Sequence, residues 1–181
     1  QVKNYHGCPP LLACFSPPSK VHTHTNNPAN RTKIIEKLLD AKADPTQSDN
    51  QGTTLLHLAC GKNSKEDVEL LLKIPAVQLE VLEKPSGGKT PLLVACSAAK
   101  ACSAPETSAN LIKALVNAKA NCTVRDEEDN TVLHASAAAC NTDVLNILHD
   151  ALKDDEELMQ GVNKKNETAA VCACLSSKDS K

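Results

Sequence analysis

Cysteine and histidine are the side chains of this chain with the most specific possible chemistry, because they bind metals, form disulfides and act as nucleophiles or bases. The 181 residues include nine cysteines and six histidines. An odd number of cysteines without regular pairing argues against a disulfide framework. The close pairs Cys172-Ala-Cys174 and His22-Thr-His24 each lack a second ligand pair at zinc spacing. We therefore expect free thiols, no metal site and no cofactor.

The sequence also contains no recognisable set of catalytic residues. No histidine has a nucleophile and an orienting acid at a recognisable spacing. The segment Ser86-Gly-Gly-Lys89-Thr90 superficially resembles a phosphate-binding loop, but it lacks the Gly-x4-Gly-Lys spacing and leads into a helical pattern without a preceding strand. We expect a protein that is not an enzyme and does not bind nucleotides.

A repeated segment organises the whole chain. The run Thr54-Leu-Leu-His57-Leu-Ala-Cys60 returns as Thr90-Pro-Leu-Leu-Val94-Ala-Cys96 and as Thr131-Val-Leu-His134-Ala-Ser-Ala137. Weaker copies begin at Pro9 and Thr168. A period of roughly 40 residues indicates a solenoid, in which each unit buries its apolar face against its neighbours. The repeats start near residues 7, 52, 88, 129 and 166, and the last one is incomplete.

Each copy predicts a helix, a turn and a second helix. Small and apolar residues follow each start, and a leucine-rich run at helical spacing comes next. These second-helix faces are Ile34, Ile35, Leu38 and Leu39, then Val68, Leu71 and Leu72, then Leu111, Ile112, Leu115 and Val116, and finally Val144, Leu145 and Leu148. The fold class is therefore all-α, a helix-turn-helix solenoid with projecting loops, forming a single domain over residues 1–181.

These residues resemble the ankyrin repeat, whose motif is a Thr-Pro-Leu-His opening, a small-residue first helix, a leucine-rich second helix and a Gly-Ala-Asp exit. The resemblance covers about residues 5–176, and its copies in register make it specific. It implies a non-enzymatic protein-interaction module. Lys42 and Lys119 stand where the family prefers glycine, at a position that commonly needs positive φ. Those two turns are therefore either strained or built differently.

Odd and even copies differ, which suggests a duplicated two-repeat unit. The third residue after each start is histidine only in the second and fourth copies. Extra residues lie between the helices in the first and third copies, around 15–31 and 97–110. They lie after the second helix in the second and fourth copies, around 74–86 and 150–162. The alternative is coincidental divergence of the copies.

The repeat assigns structural roles to most of the histidines and cysteines that invite a chemical interpretation. His57 and His134 occupy equivalent positions, so we expect each to hydrogen-bond a neighbouring loop. Five cysteines fall in first helices beside small alanine positions, where a thiol acts as a small hydrophobe. These are Cys14, Cys60, Cys96, Cys172 and Cys174.

Composition limits the partners that the chain can have. The net charge is only −2, which gives no electrostatic reason for nucleic-acid binding. Apolar runs are too short to cross a membrane and no signal peptide is visible, so we expect no direct membrane insertion and a cytoplasmic protein. With no tryptophan, one phenylalanine and one tyrosine, an aromatic binding hot spot must come from the partner.

Two charge runs remain ambiguous. Arg125-Asp-Glu-Glu-Asp129 precedes the fourth copy, and Lys153-Asp-Asp-Glu-Glu157 follows its second helix. They could form one acidic ledge on adjacent loops, or they could be separate solvated loops. A third interpretation starts a short helix at Asp154 to Glu157, because carboxylates favour a helix amino end.

The ends of the sequence indicate an open array. The last copy supplies a first helix, about residues 169–175, but no second one. We expect that helix to cover Val144, Leu145 and Leu148 through Ala170, Val171 and Leu175. Solenoid ends normally need polar caps, so the chain is expected to be a segment of a longer protein, or an array whose end a partner covers.

We expect a scaffold that binds another protein through its loops and the concave surface of its first helices. The alternative is a regulatory or targeting array inside a larger enzyme, channel or transferase. An autonomous enzyme is the least supported interpretation. The acidic pair Glu127 and Glu128 favours a partner with a basic patch. The candidate partner-binding residues belong to three successive loops: Thr46, Gln47, Asn50, Gln51, Glu83, Lys84, Ser86, Lys89, Glu127, Glu128 and Asn130.

Overall fold

A computed structural model describes residues 9–15, 28–101 and 105–176 of the protein. Within these ranges the secondary structure is helical, and extended backbone pairs only at isolated antiparallel bridges. The all-α prediction is therefore confirmed. The helices, in chain order, are α1 (Pro10–Ala13), α2 (Pro28–Asp40), α3 (Leu55–Gly61), α4 (Lys65–Leu72), α5 (Pro75–Glu80), α6 (Pro91–Ala98) with a 3-10 turn (Ala99–Ala101), α7 (Pro105–Asn117), α8 (Val132–Ala138), α9 (Thr142–Leu152), α10 (Glu156–Gln160) and α11 (Ala169–Ser176).

The helices stack in two rows. First helices contact first helices in the order α1, α3, α6, α8, α11, and second helices follow as α2, α4, α7, α9. The core lies between the rows and is almost entirely aliphatic, as the shortage of aromatic residues requires. Its fully buried side chains include Leu55, Leu56, Leu71, Leu92, Leu93, Leu111, Ile112, Leu115 and Leu148.

The extra segments mostly become helix. The described part of the segment 97–110, which was expected between two helices, ends α6, forms the 3-10 turn and begins α7, so α7 has 13 residues where α4 has 8. Residues 102–104 lie outside the described ranges. In the corresponding segment 15–31 of the first copy, residues 16–27 lie outside the described ranges. The extra segments after α4 and α9 contain the short helices α5 and α10.

Helix α10 decides between the interpretations of the second charge run. The carboxylate of Asp155 accepts a hydrogen bond from the Leu158 N–H at 3.1 Å, so Asp155 caps the helix that begins at Glu156. The run is therefore local architecture, as the short-helix interpretation proposed. Helix α5 was not predicted, although Pro75 at its first position is a recognised start signal.

Two lysines occupy left-handed backbone. Lys42 has φ 61° and Lys119 has φ 64°. The Lys42 N–H donates to the Leu39 carbonyl at 2.8 Å and the Ala43 N–H donates to the Leu38 carbonyl at 2.9 Å, the paired bonds of a Schellman motif. The turns thus keep the geometry that glycine normally supplies, and each lysine bears the conformational cost of about 1 kcal/mol.

Helix α11 does not cover the surface that the sequence analysis assigned to it. It packs on α8, whereas Val144 and Leu148 are buried in a helix that contacts α7 and α8, and Leu145 is half-buried. Ala170 is exposed, and Val171 and Leu175 are 44% and 45% exposed. The expectation was wrong because every copy enters the stack in the same orientation, so a first helix meets the preceding first helix.

A polar network joins α2 to α4 at the amino-terminal end of the stack. The fully buried Asp67 accepts hydrogen bonds from Arg31 Nε at 2.8 Å, Thr32 Oγ1 at 2.6 Å and Ser64 Oγ at 2.7 Å. The Arg31 guanidinium also lies 4.5 Å from the centre of the Phe15 ring. Every polar group around the carboxylate is therefore paired, as a buried charge requires.

We expect Asp67→Ala to destabilise the protein by about 3–5 kcal/mol, because it leaves Arg31 without its buried counter-ion. Denaturant unfolding followed by far-UV circular dichroism measures this change. The matched control is Glu69→Ala, which removes the exposed partner of Lys65 and should cost about 0.5 kcal/mol or less. Equal effects of the two variants would contradict the assigned role of the network.

Deletion of residues 163–181 tests the corrected position of α11. It removes the helix that covers α8, so amide-exchange protection should fall most at residues 132–138. Residues 144–148 should lose less, and the distant α3 should be unaffected, since solenoid coupling acts mainly between neighbours. A larger loss at α9 than at α8 would restore the original expectation.

Candidate functional site

A row of projecting loops precedes the first helices. In three of the loops, one side chain holds the turn by accepting two backbone N–H groups. Asp49 accepts from Gln51 and Thr53 at 2.8 and 2.9 Å, and Asp126 accepts from Glu128 and Asn130 at 3.0 and 2.9 Å. In the last loop, Asn163 plays the same part for Lys165 and Glu167. The loops are therefore rigid turns of one recurring design.

The remaining loop is a tight hairpin. Ser86 and Lys89 form an antiparallel bridge across Gly87 and Gly88, whose φ values are 53° and 72°. Two central residues with positive φ define a type I′ turn. A Cβ atom at Gly88 would lie 2.6 Å from the Glu127 Cγ, so only glycine lets the next loop approach so closely. The Ser-Gly-Gly-Lys segment is thus a turn between neighbours.

Two buried histidines connect each even copy to the following loop. The Thr54 N–H donates to His57 Nδ1 at 3.3 Å, the Thr54 Oγ1 lies 2.8 Å from the same atom, and His57 Nε2 lies 3.2 Å from the Lys89 carbonyl oxygen. In the fourth copy, His134 repeats this pattern with Thr131 and the Glu167 carbonyl. The scaffold role expected for both histidines is confirmed.

The hydrogen bonds of His57 define its chemical state. Nδ1 accepts the Thr54 N–H, so the ring proton must lie on Nε2, from which it is donated to Lys89. Burial lowers the pKa of His57 below its ordinary value of 6.5. The neutral ring is the form that suits these partners, because a second ring proton would point at the Thr54 N–H.

The stability of the protein should therefore fall in mild acid. Below about pH 6.5 the unfolded chain takes up a proton at His57 while the folded chain does not, so stability present above that pH is lost as the pH falls towards the folded pKa. His57→Gln, which keeps an acceptor for the cap, should reduce the difference in unfolding free energy between pH 7.5 and pH 5.5. The exposed His149→Gln is the control, and an unchanged difference in His57→Gln would contradict the assignment.

Further side chains join successive loops. Thr53 Oγ1 lies 3.0 Å from Ser86 Oγ, and Lys84 Nζ donates to Ser48 Oγ at 3.1 Å. Further along the row, Lys89 Nζ lies 3.9 Å from an Asp126 carboxylate oxygen. Asn163 Nδ2 donates to Asn130 Oδ1 at 3.0 Å, and the Lys164 ammonium donates to the Glu127 carbonyl. The loops thus form one continuous edge.

A cleft of about 280 Å³ lies beneath the last three of these loops. Its floor is made by exposed or half-buried small residues of α6, α8 and α11, and its sides carry charged residues of the loops and of the 3-10 turn after α6. We call it the concave cleft. Its floor residues are Ser97, Ala135, Ala138 and Cys172, and its charged residues are Lys89, Lys100, Asp126, Glu128, Lys165 and Glu167.

Comparison with known proteins agrees with this architecture. A family model described as "Ankyrin repeats (3 copies)" matches residues 22–104. The chain belongs to the ankyrin-repeat family. Its described ankyrin helices include none that is both long and apolar enough to cross a membrane.

Relatives of this ankyrin chain bear the name neurogenic locus notch homolog protein. The chain is 30% identical to protein 1 of Xenopus laevis over 145 residues, which are 79% of the chain and 5% of that relative. It is 30% identical to protein 1 of Mus musculus over 141 residues, and 26% identical to protein 2 of Homo sapiens over 119 residues. The chain therefore spans only about 5% of the length of these relatives.

Some of the sequence-predicted residues meet in the concave cleft of the ankyrin array and others do not. Lys89, Glu128 and Asn130 line the cleft, and Glu127 lies beside it against Gly88. Gln51 and Ser86 join the first and second loops of the row, where the Ser86 hydroxyl lies 3.5 Å from the Gln51 carbonyl.

The remaining candidates lie away from the cleft. Thr46 donates both its N–H and its hydroxyl to Asp44, at 2.9 and 2.7 Å, so it serves the exit turn of α2. Gln47 is half-buried next to it, Asn50 is exposed at a loop tip, and Glu83 is exposed after α5. Lys84 bonds Ser48 across the loop row.

Sequence reasoning missed several lining residues. Ser97, Lys100, Ala135, Ala138 and Lys165 face the same space although they come from separate copies. The sequence feature that could have identified some of them is the small residue on the solvent-accessible face of each first helix, which recurs in α6 and α8. Lys100 and Lys165 carried no signal, because their proximity depends on how the copies stack.

The two charge runs do lie near each other, but they do not form a purely acidic surface. Arg125 donates to the Val162 carbonyl at 3.1 Å and lines a groove with Glu156 and Glu157. Lys164 contacts the carbonyl of Glu127. Basic side chains therefore separate and partly balance the carboxylates.

The cysteines divide by burial. Cys60 and Cys96 are fully buried, and burial raises the pKa of both thiols. Cys14 and Cys172 are half-buried. The prediction that Cys174 is a core residue was wrong: it is exposed, because no further helix of the described chain covers α11. All the described cysteines are free thiols.

Thiol labelling of the native protein should follow this order of burial. Cys174 and the exposed Cys140 should react with a maleimide reagent at rates close to those of a small thiol. Cys60 and Cys96 should react only as the protein unfolds, because their thiols are both inaccessible and protonated. Mass spectrometry of digested samples measures each rate. Fast native labelling of Cys60 or Cys96 would show that their packing is wrong.

Proposed function

We propose that this ankyrin array is a non-enzymatic scaffold that binds another protein through its loops and its concave cleft. The observation that supports this proposal most directly is the cleft itself, where small side chains form the floor and charged residues form the sides. Ankyrin repeats generally mediate protein–protein interaction. A single array over residues 1–181 would present this surface without interruption.

The small side chains of the floor support a partner whose own large side chains fill the cleft. Alanine and serine side chains on α6 and α8 leave room for larger side chains to approach the helices. The chain has no tryptophan to act as an anchor, and binding hot spots are rich in large aromatic residues. We propose that such anchors belong to the partner.

The rigid loops support the second part of the proposal. Loop residues already held by neighbours lose little conformational freedom when a partner binds, so less binding energy is spent on ordering them. Of the sequence-predicted residues, Lys89, Glu127, Glu128 and Asn130 are the ones that we now favour as partner contacts. Thr46, Gln47, Asn50, Gln51, Glu83, Lys84 and Ser86 would extend the surface toward the amino-terminal copies.

Site-specific photo-crosslinking tests the proposal. A benzophenone amino acid is placed at Ser97, which is exposed in the cleft, or at Lys113, which is exposed on α7. In extracts of the source cells, a defined protein should cross-link at Ser97 and not at Lys113. Equal labelling at the two positions, or none at Ser97, would contradict binding at the concave cleft.

We propose that the partner so identified presents a basic patch to Glu127 and Glu128, both of which are exposed. Replacing both by lysine should slow association and invert its dependence on ionic strength, because exposed charges act mainly on the encounter rate. Stability should change by about 0.5 kcal/mol or less. Stopped-flow binding at two salt concentrations and a thermal melt measure the two effects.

The control for this variant is Glu36→Lys with Asp40→Lys. Both residues are exposed on α2, so the control makes the same change in net charge far from the cleft. Only a small and uniform change in association is expected. If the two double variants associate at the same rate, the acidic pair is not part of the interface.

A regulatory or targeting array within a larger protein is the second candidate function. The observation that favours it is that the matched segment makes up only about 5% of the notch homologues. Sequencing the complete transcript tests it, since an adjoining catalytic or channel domain would support the idea and a short reading frame would exclude it. For either function we propose a cytoplasmic location, in keeping with reduced thiols.

A further inference from the structure

We propose that the concave cleft recognises an acidic side chain in an extended segment of the partner, and that Lys100 and Lys165 are the residues that bind its carboxylate. This inference deepens the proposed scaffold function and rests on it. The charged side chains of the cleft divide into those that already have partners in the protein and those that have none.

Two of the three carboxylates in the cleft are committed to the fold. Asp126 accepts two backbone N–H groups through Oδ1, and its Oδ2 accepts Asn130 Nδ2 at 3.3 Å and faces Lys89 Nζ at 3.9 Å. Glu167 Oε2 accepts Asn163 Nδ2 at 3.1 Å and the Cys172 thiol at 3.8 Å. Both carboxylates are therefore held in place by hydrogen bonds within the fold.

Two of the three lysines in the cleft, in contrast, have ammonium groups that the fold does not pair. The Lys89 ammonium already has a partner, because it lies 3.9 Å from an Asp126 carboxylate oxygen. Lys100 and Lys165 line the same cleft and both are exposed, and the ammonium group of neither forms a hydrogen bond or ion pair with any residue that the structure describes. Glu128 is the only remaining free carboxylate among the charged residues of the cleft. Two ammonium groups therefore lack a partner in the cleft, against one carboxylate.

The floor of the cleft suits an extended segment of a partner. Ala135 and Ala138 present only methyl groups, and the Ser97 hydroxyl already donates to the Leu93 carbonyl at 2.9 Å. The floor therefore leaves no hydrogen-bond donor of these three side chains unpaired. A volume of about 280 Å³ accommodates one or two side chains and not a folded domain, so an acidic side chain carried by a peptide segment is the fitting occupant.

Partial burial in the cleft makes the carboxylate contact selective. Charge-assisted hydrogen bonds are stronger than neutral ones, and the gain grows as water is excluded. An uncharged amide of the same shape cannot satisfy two ammonium groups, since it offers a single carbonyl oxygen without charge. The cleft should therefore prefer Asp or Glu to Asn or Gln by about tenfold in affinity.

A positional-scanning library of acetylated, amidated octapeptides tests the inference without knowledge of the partner. Each immobilised pool fixes one central residue and randomises the others, and capture of the full 181-residue chain is measured. Pools with Asp or Glu fixed should bind about tenfold more tightly than pools with Asn or Gln fixed. Equal binding of the acid and amide pools, or no detectable binding, would overturn the assignment.

Variants separate the two lysines from general charge. Lys100→Gln and Lys165→Gln should each reduce the preference for acid pools, and the double variant should abolish it. Lys113→Gln, which removes an exposed lysine of α7, should leave the preference intact. An equal loss in Lys113→Gln would mean that net charge alone attracts acidic peptides, and the inference would fail. Thermal melts confirm that each variant is folded.

Two further comparisons complete the test. The first distinguishes an acidic side chain from a terminal carboxylate as the bound group, and the second distinguishes failure of the lysine assignment from failure of the scaffold proposal. Amide-centred pools with a free terminal carboxylate should bind weakly. If they bind as tightly as the acid-centred pools, the site takes a chain terminus and not an acidic side chain. If Ser97 cross-links a partner while acid and amide pools bind equally, the scaffold function stands and the lysine assignment falls.

Discussion

The buried threonine–histidine pair is the interaction on which the rest of the array depends. In the second and fourth ankyrin repeats, histidine Nδ1 caps the first helix and Nε2 reaches the carbonyl of the following loop. One imidazole ring therefore contacts both the start of a helix and the loop of the next copy. Since a solenoid has few distant contacts, such links decide how successive copies align.

Alignment of the loops creates the concave cleft. Its residues come from three copies, so no single repeat contains the whole cleft. Asx turns held by Asp126 and Asn163, the hairpin at Gly87 and Gly88, and the histidine bonds leave the loop backbones little freedom. The fold thus satisfies most of the polar groups around the cleft and leaves Lys100 and Lys165 available for a partner.

The sequence predicted what depends on local pattern. The helix starts, the bonds of His57 and His134 to neighbouring loops and the special turns at Lys42 and Lys119 all follow from the repeat. What it missed depends on stacking, which joins residues more than 30 positions apart. The Arg31–Asp67 pair, the cleft lysines and the position of α11 on α8 belong to this class, and the exposure of Cys174 follows from the last of them.

The imidazole protonation states test the central claim most directly. A long-range ¹H–¹⁵N correlation spectrum of the histidine rings at pH 7.5 distinguishes a protonated Nε2 from a protonated Nδ1. The structure requires His57 and His134 to carry the proton on Nε2, because Nδ1 accepts the N–H of Thr54 or Thr131. A proton on Nδ1 of either ring, or rapid exchange between the two forms, would contradict the capping link.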